Sequence, residues 1–214
     1  MRFIIVLLLL TSCSSVEFDK KHLIENYRTK ELQYFGQVGF YNGQTVKKWG
    51  KNIEISMVGE PRRGDIELID SIINEIGPLI APIKIERKNF DGNLKIKFVD
   101  KVDAGFADQQ VRLGLFDEFQ YSDINLPNNL IGTFRQATLR HEFLHALGLH
   151  HPRERNTGTL IESSVEFVGN DEESNVKNYK YSELDKRMVK LLYDSKITKG
   201  LEKKEYLLSL NMKE

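Results

Sequence analysis

Apolar and polar residues alternate along residues 51–59, KNIEISMVG, where Ile53, Ile55 and Met57 share one side of the backbone. A period of two predicts a half-buried strand. The period then changes: Ile66, Ile69, Ile72, Ile73, Ile76 and Leu79 recur at helical spacing over residues 63–80, with Gly77 and Pro78 weakening the last turn. Two further alternating runs, 82–87 and 94–99, are separated by the turn residues Asp91, Gly92 and Asn93 and together predict a hairpin. Residues 103–120 show no clear period, and residues 121–129, with their Asp, Asn and Pro, read as a loop. A helix follows over 136–149 and should stop at Gly148, because glycine accepts the left-handed conformation that reverses a chain. Leu184, Met188, Leu191 and Leu192 predict another helix over 182–193, capped by Ser182, and residues 201–210 a last amphipathic one. The order defines an α+β domain: a sheet with a backing helix, a second helix carrying unusual chemistry, and a small, mostly helical C-terminal part.

The first thirteen residues, MRFIIVLLLLTSC, follow another logic. One positive charge at Arg2 precedes an apolar run from Phe3 to Leu10, then small polar residues, then Cys13, the only cysteine. The run is short for a permanent membrane span, and a single cysteine excludes a disulfide within the chain. Leu10, Thr11, Ser12 and Cys13 resemble the lipobox of a bacterial lipoprotein. The resemblance implies cleavage after residue 12, acylation of Cys13, and anchoring at the cell envelope, facing the periplasm or the cell surface. Residues 1–12 are then a signal peptide, 13–45 a lipidated tether with a short helix, 46–195 the main domain and 196–214 a helical extension. Tyr34, Phe35, Phe40 and Tyr41 are the tether residues able to dock on the domain.

Charge adds only an exclusion. The chain carries 31 basic and 31 acidic side chains, and loss of Arg2 leaves 30 against 31. Near neutrality gives no electrostatic case for nucleic acid as a partner. Nothing in the pattern asks for a second copy, so a monomer is expected.

The candidate chemistry lies at residues 141–151, HEFLHALGLHH, which hold four of the five histidines. His141 and His145 are i and i+4 on one helix face, so both rings can reach one ion. Glu142 lies about 100° further round, outside that ligand pair but able to touch a water on the metal. Beyond Gly148 the chain can swing His151 back as third ligand. Three neutral imidazoles leave the fourth position of a tetrahedral Zn²⁺ open, the arrangement of a catalytic site. Only one of His150 and His151 can point at the ion; spacing favours His151 and makes His150 an exposed neighbour. His150, Glu162 and Glu166 stay open as alternative third ligands, and a metal-binding lipoprotein without catalysis as an alternative function. His22 reads as a packed or solvent-facing residue.

His141, Glu142, His145, Gly148 and His151 resemble the signature of the metzincin clan of zinc endopeptidases, with a layout similar to its matrixin branch. The resemblance implies a zincin-like fold with a twisted mixed β-sheet. It also implies zinc bound by His141, His145 and His151, a water activated by Glu142, and a protein or peptide as substrate. It makes residues 106–115 the candidate edge strand for an extended substrate. The chain departs from the clan in one respect: no methionine occurs in residues 156–164, NTGTLIESS, where the clan has a methionine turn beneath the metal. Leu160 or Ile161 is the expected apolar floor. Tyr179, Tyr181 and Tyr193 are the downstream candidates for an oxyanion donor, and none is singled out.

Overall fold

The computed structural model describes residues 19–100, 108–113, 117–153, 158–162 and 179–212. Residues 1–12, read from sequence as a signal peptide, and Cys13 lie outside the described residues. Among them, no helix is long and apolar enough to cross a membrane.

Among the described residues, six strands form one mixed sheet: β1 (Lys48–Trp49), β2 (Ile53–Val58), β3 (Ile85–Arg87), β4 (Leu94–Val99), β5 (Asp108–Leu113) and β6 (Glu118–Pro127). The order β1-β6-β4-β2-β3 is parallel throughout, and β5 pairs antiparallel with β6. Register explains the alternation in the sequence. Ile55 aligns with Leu94, Met57 with Ile96, and Ile96 with Ile124. Aligned residues face the same side of a sheet, so these side chains make one apolar surface. Helix α3 (Arg63–Ile76) crosses from β2 to β3 and buries Ile69, Ile72 and Ile76 completely; a 3-10 turn, Gly77–Leu79, ends it where glycine and proline weaken the pattern.

Two expectations are corrected here. The predicted hairpin is not one: β3 and β4 lie on opposite sides of β2, each parallel to it. Residues 88–93 carry the chain across β2 instead. Asn93 makes the crossing possible by accepting from the Glu54 amide (2.8 Å) and donating to the Asn52 carbonyl (2.8 Å). Gly92 must lack a side chain, since a Cβ there would stand 2.2 Å from the Glu54 carbonyl oxygen. The predicted loop at 121–129 is largely strand β6, flanked by β4 and β5. Its Asp123 is buried, but Lys97 neutralises it at 2.5 Å and the Tyr121 hydroxyl also donates to it, which removes the usual objection to a carboxylate in a strand.

The part of the expected tether that is described is helical and docked. Helices α1 (Lys20–Asn26) and α2 (Thr29–Val38) are packed parts of the domain, with Leu23, Phe35 and Val38 fully buried. Phe35, Phe40 and Tyr206 form an aromatic cluster with ring centroids 5.3–5.7 Å apart. His22 is held by Asp194 (3.0 Å), which also accepts from the Tyr27 hydroxyl. At the other end α5 (Glu183–Leu192) and α6 (Lys203–Ser209) share the same core, and residues 44–46 pair with 200–203 through Val46 N–H to Leu201 O and Gly200 N–H to Val46 O. Packing therefore draws no boundary at residue 45 or 195. What looked polar in sequence is amphipathic: the buried residues of α2 sit at helical spacing between exposed Lys30, Gln33 and their neighbours.

Lys48 joins these halves, its ammonium donating to the carbonyls of Leu192 (2.7 Å) and Ile197 (2.5 Å). Burial pulls its pKa down to about 8. Between pH 8 and 10 the unfolded chain then holds more protons at this group than the folded one, so stability should rise with pH across that window. Urea midpoints at pH 8 and 10 check this, and Lys48→Met should flatten the rise.

Candidate metal centre

Helix α4 (Gly132–Leu147) begins four residues earlier than its pattern predicts and packs against β5 and β6. Almost every side chain on it is buried, polar ones included. Arg135 near its start forms a two-pronged ion pair with Asp65 of α3 (2.6 and 3.0 Å) and donates to the Pro127 carbonyl (2.7 Å). The helix ends as expected at Gly148, with φ 112°. A Cβ there would approach the Lys47 carbonyl oxygen to 2.2 Å, so close approach and handedness both require glycine.

The carbonyls at the end of α4 are fully used. Gly148 N–H donates to His145 O and Leu149 N–H to Leu144 O, the indole of Trp49 to Ala146 O (2.7 Å), and the Tyr193 hydroxyl to Leu147 O (3.0 Å). Tyr181 is likewise committed, donating to Arg140 O (3.2 Å). Tyr181 and Tyr193 thus clamp the helix from within the core, and burial pushes both hydroxyl pKa values up. Neither is placed to reach a reacting group.

Three rings converge beyond the helix axis. The Nε2 atoms of His141, His145 and His151 form a nearly equilateral triangle with sides of 2.9, 2.9 and 3.0 Å. His141 Nδ1 lies 2.6 Å from the Leu160 carbonyl and His145 Nδ1 2.8 Å from the Leu149 carbonyl. A carbonyl only accepts, so each Nδ1 carries the proton and each of those Nε2 atoms presents a lone pair. Lone pairs facing one another at 3 Å repel unless a cation lies between them. Burial, with the neighbouring imidazoles, holds these two rings neutral: His141 falls to about 4 and His145 well below the usual imidazole range. Neutral imidazole is the form a metal ion binds. Tetrahedral zinc with nitrogens at about 2.0–2.1 Å holds them roughly 3.3 Å apart, within a few tenths of an ångström of this triangle. The donor set fits.

Exposure grades across the triad: His141 is buried, His145 intermediate and His151 exposed. One side of the cluster therefore faces solvent, where water and a substrate can enter. Glu142 is buried on the same turn of α4 as His141. Among the described residues, the three histidines are the one group of histidine, cysteine and acidic side chains gathered closely enough to hold an ion.

The alternative ligands do not join them. Glu162 turns back to accept from the Gly158 amide (2.8 Å), and Glu166 lies outside the described residues. His150 departs from its expected exposure. It is half-buried with its ring edge-on to Tyr41 (5.2 Å between centroids), its amide donates to Val38 O (2.7 Å), and burial lowers its pKa to about 4.

The floor beneath His141 is the turn at 159–161. Leu160 and Ile161 are both buried, and Leu160 contributes through its backbone, whose carbonyl orients the His141 ring. Asp185 fixes that turn by accepting from the amides of Leu160 (3.1 Å) and Ile161 (3.4 Å) while closing the capping box of α5 with Ser182. Burial raises its pKa, and these donors pull it back. Sequence identifies Ser182 as the cap but not Asp185 or its duty to this turn, which exists only once α5 has docked.

The fold and site define a mixed α/β protein with a histidine triad able to hold a metal ion. No family model matches the chain, and no curated protein matches it. Two solved structures of myroilysin are similar to it. One is 15% identical over 70% of this chain and 83% of its own, with a TM-score of 0.43. The other is 19% identical over 52% of this chain and 49% of its own, with a TM-score of 0.33.

Proposed function

We propose that the protein is a zinc-dependent endopeptidase of the metzincin type. The observation that carries this is the triangle of Nε2 atoms, two of them on carbonyl-anchored rings that burial keeps neutral, open to solvent on one side and accompanied on α4 by a buried glutamate. Zinc held by His141, His145 and His151 supplies a Lewis acid that polarises a carbonyl and makes water a nucleophile near neutral pH. The chain's own contribution is proton traffic: the Glu142 carboxylate takes a proton from the attacking water and delivers it to the leaving amine as the C–N bond breaks and the C–O bond forms. Strand β5 has β6 as its strand partner among the described residues, which leaves an edge for an extended peptide.

The protein acts as a monomer held by an acylated Cys13 at the bacterial cell envelope, outside the cytoplasm. Metal analysis of His151→Ala is the direct test. Wild type should hold one zinc per chain and the variant well under a tenth of that when dialysed against submicromolar zinc; undiminished metal in the variant overturns the ligand assignment.

A further inference from the structure

Helix α2 precedes the sheet in sequence yet touches both arms of the triad. The Tyr34 hydroxyl shares a 2.7 Å hydrogen bond with the Thr159 hydroxyl, and both side chains are buried. Thr159 is the residue before Leu160, whose carbonyl sets the His141 ring. One turn later on α2, the Val38 carbonyl accepts the His150 amide at 2.7 Å, next to His151. Tyr41, just beyond the helix, packs its ring against His150. The helix thus grips the turn that orients the first ligand and the segment carrying the third, while α4 itself carries the first two.

We infer that α2 is a positioning element of the metal centre and that Tyr34 is its positioning residue. This rests on the proposed metal site but adds to it. An ion bound by three rings requires each to hold its orientation, and partners that orient ligands shift metal affinity by about 10–100-fold when removed. Two ligands come from one rigid helix, which places His141 and His145 but leaves the tilt of the His141 ring to the Leu160 carbonyl. The His141 ring and the outlying His151 therefore depend on the 159–161 turn and the 149–151 exit segment, the two pieces that α2 holds. A control lies on the same helix: the Tyr206 hydroxyl donates to Leu32 O (2.9 Å), also in the core, without touching either piece.

The experiment compares the full chain with Tyr34→Phe, Thr159→Val, the double variant and Tyr206→Phe. Zn²⁺ affinity is read by competition with a chromophoric chelator, the Co²⁺-substituted visible spectrum reports ligand geometry, and urea midpoints follow stability. Tyr34→Phe and Thr159→Val should each weaken Zn²⁺ binding about 10-fold and alter the Co²⁺ bands, with the double variant no worse than either. Tyr206→Phe should lower the urea midpoint and leave affinity and spectrum unchanged. Wild-type affinity in Tyr34→Phe, or equal weakening in Tyr34→Phe and Tyr206→Phe, overturns the inference and leaves the metal site standing. A wild-type chain that binds neither ion overturns the metal site and the inference together.

Discussion

Glu142→Gln should lower peptide hydrolysis by a factor on the order of 10²–10⁴ while the chain keeps its metal. Glutamine preserves the size of a side chain that is 9% exposed and packed on the ligand helix, so the fold and the rings beside it have no reason to move. It removes the capacity to take a proton. An amide cannot accept one near neutral pH, and neither helix histidine offers a substitute: the Nδ1 positions of His141 and His145 are bound to carbonyls and their Nε2 positions face the triad. Tyr181 and Tyr193 are spent on α4 carbonyls. Turnover of a peptide library, measured beside metal content and urea midpoint, separates the chemistry from folding. Cleavage at the wild-type rate by a fully metallated variant would remove Glu142 from the mechanism.

The convergence of the three rings was legible because it is a local property. An i, i+4 pair on a helix and a glycine stop three residues later fix the approximate paths of His141, His145 and His151 before any tertiary contact forms. Strands β2 and β4 and helix α3 were legible for the same reason, each stating its own period. Pairing is different. The same alternating runs and the same Asp91-Gly92-Asn93 turn serve a hairpin or a crossing over β2, and what decides is Asn93 bonding to β2 from a distance of about forty positions in sequence. Strand β6 was hidden because Asp123 looks unsuited to a strand until Lys97 stands beside it. The packing of helix α2 was hidden because high polarity masked a buried stripe that has meaning only against α5 and α6. The supports of the site, Asp185 beneath Leu160 and Val38 behind His150, are long-range contacts through backbone atoms, which no residue pattern encodes.

Arg135→Met should be the most destabilising of the substitutions considered, costing about 3–5 kcal/mol, because it breaks a buried ion pair from one side. Asp65 is 3% exposed and its carboxylate takes both prongs of the guanidinium; after substitution it keeps only the Arg62 amide at the start of α3. The carbonyl of Pro127, at the end of β6, loses the shorter of its two bonds and keeps the Leu130 amide at 3.3 Å. Three elements meet at this one side chain: the backing helix, the strand that α4 packs against, and α4 itself. The pair need not be a large net contribution in the wild-type protein, since desolvating two charges offsets most of their attraction. That distinction is measurable. Asp65→Asn alone should also be costly, but the double variant Asp65→Asn/Arg135→Met should lose clearly less than the two single losses combined, with a coupling of about 0.5–3 kcal/mol. Equilibrium urea unfolding of the four proteins gives the cycle. Additive losses, or a loss below about 1 kcal/mol for Arg135→Met, would show that the contact does not hold the ligand helix against the sheet.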